Sequence, residues 1–152
     1  FHLIDHQGRT ACWTGPDCEA WAGHRHGQDC SVAGNFLVGE SVLVAMEMAF
    51  QTSDPTWKLG RRLMHALQAG EAAGGDLRAV SSTSAALQIS GDAAFPLLDL
   101  RVDYNDQAVG ELMAIYEHSQ DLWAQQWRDE LSELRTLNRT VQRTYEQTRS
   151  AS

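Results

Sequence analysis

The stretch that decides the reading of this chain is residues 12–39, CWTGPDCEAWAGHRHGQDCSVAGNFLVG. Between Gly15 and Gly34 it is crowded with Gly, His, Asp and Trp and shows no apolar period, a composition that predicts a structured surface loop rather than a regular element. Such loops often carry binding and catalytic groups. Residues 30–38, CSVAGNFLV, read as a short buried strand with a bend at Gly34 and Asn35. Upstream, residues 1–14 read as a hairpin. Phe1 and Leu3 share a face around His2, a turn follows at His6, Gln7 and Gly8, and Ala11 and Trp13 then alternate with Thr10 and Thr14.

Downstream, Gly39 releases the chain into a helix whose Val42, Leu43, Met46, Ala49 and Phe50 recur at spacings of three and four. A second helix is predicted from Ser53, Asp54 and Pro55, a cap followed by proline, with Trp57, Leu63, Met64 and Leu67 as its apolar face. After the irregular run AGEAAGGDLR, strands are expected at 84–89 and 97–102 around a turn at Gly91 and Asp92. In the second of these, Leu98, Leu100 and Val102 alternate with Asp99, Arg101 and Asp103, the signature of a half-exposed strand. Arg101 between two aspartates reads as a structural ion pair or a ligand clamp, the structural reading being favoured because such charge ladders are common on exposed strand faces.

From about Gln107 to about Gln147 there is no proline and no glycine beyond Gly110, so one long helix is expected. Val109, Met113, Tyr116, Trp123, Trp127, Leu134, Leu137 and Val141 form a stripe along it. At 1.5 Å per residue such a helix reaches about 60 Å, farther than a domain of this size is wide. Its half beyond about residue 128 therefore projects, and the stripe favours a partner, a second copy of the chain. The division expected is residues 1–106 as the packed domain and 107–150 as the helix. Strands, then helices, then strands indicate an α+β fold: an antiparallel sheet covered by helices on one face, with the other face left for a second sheet or another chain.

The 152 residues carry a formal net charge of -8, and the 12 basic residues are scattered, which argues against nucleic acid as a partner. No run approaches the roughly 20 apolar residues of a membrane helix, and the best window, residues 42–50, is broken by Glu47. The opening FHLIDHQGRT has no leader signature. Cys12, Cys18 and Cys30 leave two readings open, a Cys18 to Cys30 bridge in an oxidising compartment or three reduced thiols. Compartment stays undetermined, the cytoplasm being favoured over secretion. Cys18, His24, His26 and Cys30 are zinc-ligand types, but the thiols stand singly and the histidines are two apart, so no metal is expected, and no other cofactor. No G-x-S-x-G elbow or phosphate-binding glycine loop is present. The Asn138-Arg139-Thr140 sequon falls within the expected helix and is ascribed to chance.

Taken in order, residues 12–39, LQAGEAAGGDLR, TSAAL and DLRVDYND resemble the C-terminal two-thirds of the bacterial and archaeal family called domain of unknown function 1028, over roughly residues 3–125. The resemblance implies part of a four-layer αββα sandwich of the N-terminal-nucleophile (Ntn) hydrolase kind: two antiparallel sheets face to face, helices outside each. It further implies an amide-bond hydrolase or acylase of unknown substrate. In that chemistry a Thr, Ser or Cys at the head of the mature chain attacks the carbonyl, with its own amino group as base. Phe1 has no nucleophilic atom, so the nucleophile is expected outside this chain, on a missing N-terminal segment or on another chain.

By the same resemblance Trp21, Gly23 and His24 match a WAGH-like segment, and Gly34 and Asn35 a glycine-asparagine bend. Asn35 would hold the oxyanion and His24 would orient substrate, the two candidate catalytic residues. Trp21, Gly34, Asp76 of the Gly-Gly-Asp match and Ser84 of TSAAL are the candidate substrate-binding residues. Thr83 stands where the family has Gln, and Tyr104 and Asn105 replace an acidic residue and a His. The alternative is a non-catalytic, self-assembling scaffold that keeps the fold, as the absent nucleophile and the striped helix suggest.

Overall fold

The computed structural model describes residues 1–19, 21–27, 29–78, 84–92, 94–131 and 133. The chain divides into two compact units, Phe1–Tyr116 and Glu117–Ser152. The first begins with the expected hairpin, β1 (His2–Ile4) paired antiparallel with β2 (Thr10–Cys12). Its turn is tied by Asp5, whose carboxylate accepts the backbone N–H of Gln7 at 2.9 Å and of Arg9 at 3.0 Å and the Arg9 Nε at 2.6 Å.

The stretch expected to be a loop supplies a strand at 23–27, which makes a second hairpin with the strand expected from residue 30. β3 (Gly23–Gly27) pairs residue for residue with β4 (Cys30–Gly34). GHRHG has no apolar residue to announce a strand, and its order comes from polar contacts on both faces. On one face Arg25 donates from Nε to Glu47 at 2.6 Å and from Nη1 to Glu40 at 3.0 Å, both on α1 (Glu40–Thr52), and its cross-strand neighbour Val32 is buried. On the other face, where period two places His24, His26 and Ser31, the first hairpin packs down. Ser31 Oγ lies 2.9 Å from His2 Nδ1 and 3.0 Å from Cys12 Sγ, and Thr14 Oγ1 lies 2.6 Å from His24 Nδ1.

In α1, Val42, Leu43 and Phe50 are buried, as the stripe predicts. The second helix, α2 (Leu59–Ala72), starts later than Pro55 because Asp54 folds the chain into a turn first. Its Oδ1 accepts the N–H of Thr56 at 2.8 Å, and its carbonyl accepts the N–H of Trp57 at 3.0 Å. The C-terminus of α1 is closed by a neighbouring side chain: Arg62 of α2 donates from Nη2 to the Phe50 carbonyl at 3.1 Å and from Nε to Ser53 Oγ at 2.8 Å. Buried Ser53 in turn donates to the Phe50 carbonyl at 2.6 Å, and the guanidinium sits 4.3 Å over the Phe50 ring.

The third hairpin, β5 (Ala85–Ile89) with β6 (Leu98–Val102), shows the expected alternation. Leu87 and Val102 join Met64 of α2 and Ala108, Val109, Leu112 and Tyr116 of α3 (Ala108–His118) in the core. On the outer face Arg101 donates from Nη2 to Asp103 at 2.6 Å, a surface ion pair. The fold is mixed α+β, and its described strands form three two-stranded antiparallel sheets.

The continuous helix expected from Gln107 is interrupted. α3 ends at His118, residues 119–121 turn, and residues 122–131 form a separate helical stretch. Polar groups inside the expected stripe make the break. Gln120 and Asp121 donate their N–H groups to the carbonyls of Glu117 and His118, and the freed Ser119 carbonyl accepts Arg128 Nη2 at 2.5 Å. Gln125 Nε2 donates to the Gln120 carbonyl. Trp123 and Trp127, placed on the apolar stripe by their spacing, are 64% and 60% exposed. Leu134, Leu137, Val141 and the Asn138 sequon lie outside the described residues.

Arg62→Ala should lower stability by about 1.5–3 kcal/mol in urea denaturation, the range for hydrogen bonds from a charged donor, because a buried carbonyl and hydroxyl lose it together. Arg62→Lys should recover less than half, since one ammonium cannot fork to both acceptors. A wild-type midpoint for Arg62→Ala would refute this account of the α1 terminus.

Candidate functional site

Beyond β4 the chain turns at Asn35, and Phe36, not Asn35, takes the left-handed conformation, with φ of 56°. For a bulky residue that is an outlier costing about 1–3 kcal/mol, held only where neighbours over-determine it. Here they do. The Phe36 carbonyl accepts the N–H of Leu77 at 2.6 Å, and the Arg78 guanidinium lies 4.2 Å over the Phe36 ring. Leu37 exchanges backbone hydrogen bonds with Trp21, at 3.0 Å and 3.4 Å, and bridges to Asp76. Val38 N–H donates to the Gly75 carbonyl at 3.1 Å. That last contact needs the sharp reversal after α2, which Gly74 (φ 114°) and Gly75 (φ 56°) supply at no side-chain cost.

Four of the six candidate site residues therefore come together. Trp21, Gly34, Asn35 and Asp76 surround the segment 35–38, although they are spread over more than 50 positions of sequence. The Trp21 ring lies so close over Gly23 that a Cβ there would fall inside it. Asn35 is exposed, and among the described residues its amide makes no hydrogen bond. With Gly34, Trp13, Thr14 and Cys18 it lines a pocket of about 230 Å³. His24 stands beside this pocket through its contact with Thr14. Ser84 is exposed at the foot of β5, and no hydrogen bond among the described residues joins it to the others; Thr83 lies outside the described residues.

Asp76 is committed to structure. Its carboxylate accepts the backbone N–H of Arg78 at 2.8 Å and Nη2 at 2.5 Å, and these hydrogen bonds hold its pKa below the usual carboxylate range. Cys12, Cys18 and Cys30 are all free thiols, so the bridge between Cys18 and Cys30 is not formed. Among the described residues no group of three or more His, Cys, Asp or Glu side chains is placed to share a metal ion. No described helix is long and apolar enough to cross a membrane.

The sequence reading missed two features here. The left-handed Phe36 has no signal of its own, since the Gly-Asn pair before it draws attention to the wrong residue. The His2, Ser31 and Cys12 cluster joins three strands, and with β3 read as loop nothing brought them together.

A mixed α+β protein of small antiparallel hairpins packed with helices, its bend at 35–38 tied to Trp21, Gly75 and Leu77, is the class this geometry defines. A family of unknown function, DUF1028, matches residues 1–112, and the chain belongs to that family. Among solved structures it is similar to protein SPO2555 from Silicibacter pomeroyi, itself assigned to DUF1028, at 30% identity and a TM-score of 0.73. The match covers 84% of this chain and 54% of that one, so this chain spans about half the length of its solved relative. No curated protein matches it.

The Asp76 tie sets a pH dependence. A carboxyl whose folded pKa is depressed contributes stability that is present above its unfolded value, about 3.9, and is lost as pH falls through the folded value. Amides of residues 75–78 should stay protected from hydrogen exchange at about pH 5 and open as pH falls below about 3.9. Asp76→Asn should open them already at neutral pH; unchanged protection in that variant contradicts the assignment.

Proposed function

We propose that the chain is the C-terminal part of an Ntn-type amide-bond hydrolase or acylase whose nucleophile lies outside it. The observation that carries the reading is Asn35: an exposed, uncommitted side-chain amide beside a small pocket, on a bend whose strained neighbour is fixed from three sides. A donor held that way suits the oxygen of a tetrahedral intermediate, which gains charge as the carbonyl is attacked. His24, with Nδ1 engaged by Thr14, is oriented to meet substrate through its other ring nitrogen. Trp21 and Gly34 shape the approach, and Asp76 positions the bend through Arg78.

The layering supports the same reading. Helix α1 covers one face of the β3–β4 hairpin and the β1–β2 hairpin covers the other, an order of helix, sheet, sheet that fits three layers of the four-layer αββα sandwich. In this reading the nucleophile, a Thr, Ser or Cys with a free amino group, comes from a part of the fold this chain does not span. Its hydroxyl or thiol attacks the amide carbonyl, its amine takes the proton and returns it to the leaving nitrogen, and water then releases the acyl group.

A second reading, self-association, rests on a different observation. Leu122, Trp123 and Trp127 of the stretch 122–131 are 72%, 64% and 60% exposed, a concentration of large apolar side chains suited to a second copy. It is compatible with the first.

N-terminal sequencing of the native protein and of whatever chain co-purifies with it tests the enzyme reading, together with a screen of N-acyl anilides. A mature Thr, Ser or Cys terminus and anilide turnover are expected, and Asn35→Ala should cut kcat by about 10²- to 10³-fold with little change in KM. Turnover that is indifferent to Asn35→Ala would contradict the role given to this bend, and the absence of any such terminus would contradict the mechanism.

A further inference from the structure

The pairing of the first hairpin runs on past β2, where Trp13 donates its N–H to the Phe1 carbonyl at 2.9 Å. In such a chain Cys12 and Thr14 share a face. Both are fastened to the second hairpin, Cys12 Sγ at 3.0 Å from Ser31 Oγ on β4 and Thr14 Oγ1 at 2.6 Å from His24 Nδ1 on β3. Half-buried Thr14 is therefore fixed between the hairpins, and it lines the same pocket as Asn35. The other donors on that lining are less suited to hold a ligand oxygen. Trp13 is 43% exposed, and its indole makes no hydrogen bond among the described residues. A thiol such as that of Cys18 donates only weakly. The direction of the bond between Thr14 and His24 decides what the pocket meets. A hydroxyl has one proton. If the neutral ring is protonated on Nε2, Thr14 must donate to Nδ1 and has no proton left for a ligand. If the ring is protonated on Nδ1, the ring donates, and the Thr14 proton is free for the pocket.

We infer that Thr14 is the second oxyanion donor of this site, its hydroxyl aimed at substrate by the Nδ1–H of His24 and working beside the amide of Asn35. The inference rests on the hydrolase reading of the pocket and adds a residue to it. Donors that are already in place when charge develops lower the barrier most, and Thr14 is held by a partner on another strand before any substrate arrives. When the nucleophile, from outside this chain, adds to the amide carbon, the C=O π bond breaks and its electron pair moves to oxygen. There the Thr14 O–H and the Asn35 N–H meet the new charge. No proton passes through Thr14. On collapse the pair returns to re-form the carbonyl as the C–N bond breaks, and the amine leaves with the proton that the nucleophile's own amino group had taken.

Nitrogen-resolved NMR of the imidazoles, with His24→Gln identifying the signals of His24, reads the ring's tautomer without any need for turnover. Nδ1–H is expected in the neutral ring; Nε2–H overturns the inference, because the Thr14 proton is then given to the ring. In the native protein and the N-acyl anilide screen, Thr14→Val should lower kcat about 10²- to 10³-fold with KM little changed, and Thr14→Ser should restore kcat to within about tenfold. His24→Ala, which leaves the hydroxyl in place, should lower kcat less than Thr14→Val does. A larger loss in His24→Ala makes Thr14 a support for the ring rather than a donor, and overturns the inference. Wild-type kcat in Thr14→Val also overturns it and leaves the role of Asn35 standing, whereas no turnover in the wild-type protein removes the hydrolase reading and this inference with it. Should Thr14→Val fail to fold by circular dichroism, the ring tautomer decides.

Discussion

The visible structure hangs on the close approaches made by α2. Gly60, Ala66 and Gly70 are buried along it, and two of them are contact points where a side chain would not fit. A Cβ at Gly70 would come within 2.7 Å of Met46 on α1, and one at Gly60 within 2.5 Å of the Tyr116 ring on α3. Without methyl groups at those points α1 and Tyr116 approach the α2 backbone directly, and everything else is placed from there. Helix α1 holds the β3–β4 hairpin through Arg25 and Val32; Met64 anchors the β5–β6 hairpin through Leu87 and Val102. The reversal after α2, through Gly74 and Gly75, then brings Asp76 beside Leu37 and locks the bend that carries Asn35.

Where burial sets the structure, the sequence was readable. The stripes of α1 and α2 and the alternation in β6 each put apolar residues on one face at a fixed period; of these, Val42, Leu43, Phe50, Met64 and Val102 are buried, and Leu63, Leu67, Leu98 and Leu100 are partly buried against the core. Where polar pairing sets the structure, it was not. β3 is a strand because Arg25 meets two glutamates from a helix that starts 13 positions after the strand ends, Gly27 to Glu40. The break at 119–121 is of the same kind: nothing in the apolar stripe forbids a continuous helix, and the side chains of Arg128 and Gln125 supply the hydrogen bonds that let it end. Pro55 misled for a related reason, since an aspartate before proline can cap a helix or close a turn, and Thr56 decides for the turn.

The site was legible as motif and not as geometry. Matching the family's segments singled out Trp21, Gly34, Asn35 and Asp76, and the fold gathers all four around one bend. Motif matching could not show that Asp76 is occupied by Arg78, that the strain sits on Phe36, or that Ser84 stands apart.

The claim that α2 organises this framework through close contact has a direct test in Gly60→Ala. Helix propensity alone favours the substitution by up to about 1 kcal/mol. The Tyr116 ring edge at 2.5 Å, backed by Ile89 at 3.1 Å, cannot yield without moving α3, and overpacking of that kind costs about 1–3 kcal/mol. Urea denaturation of the variant should therefore show a net loss of stability. A gain of about 1 kcal/mol, as propensity alone would give, would contradict the account.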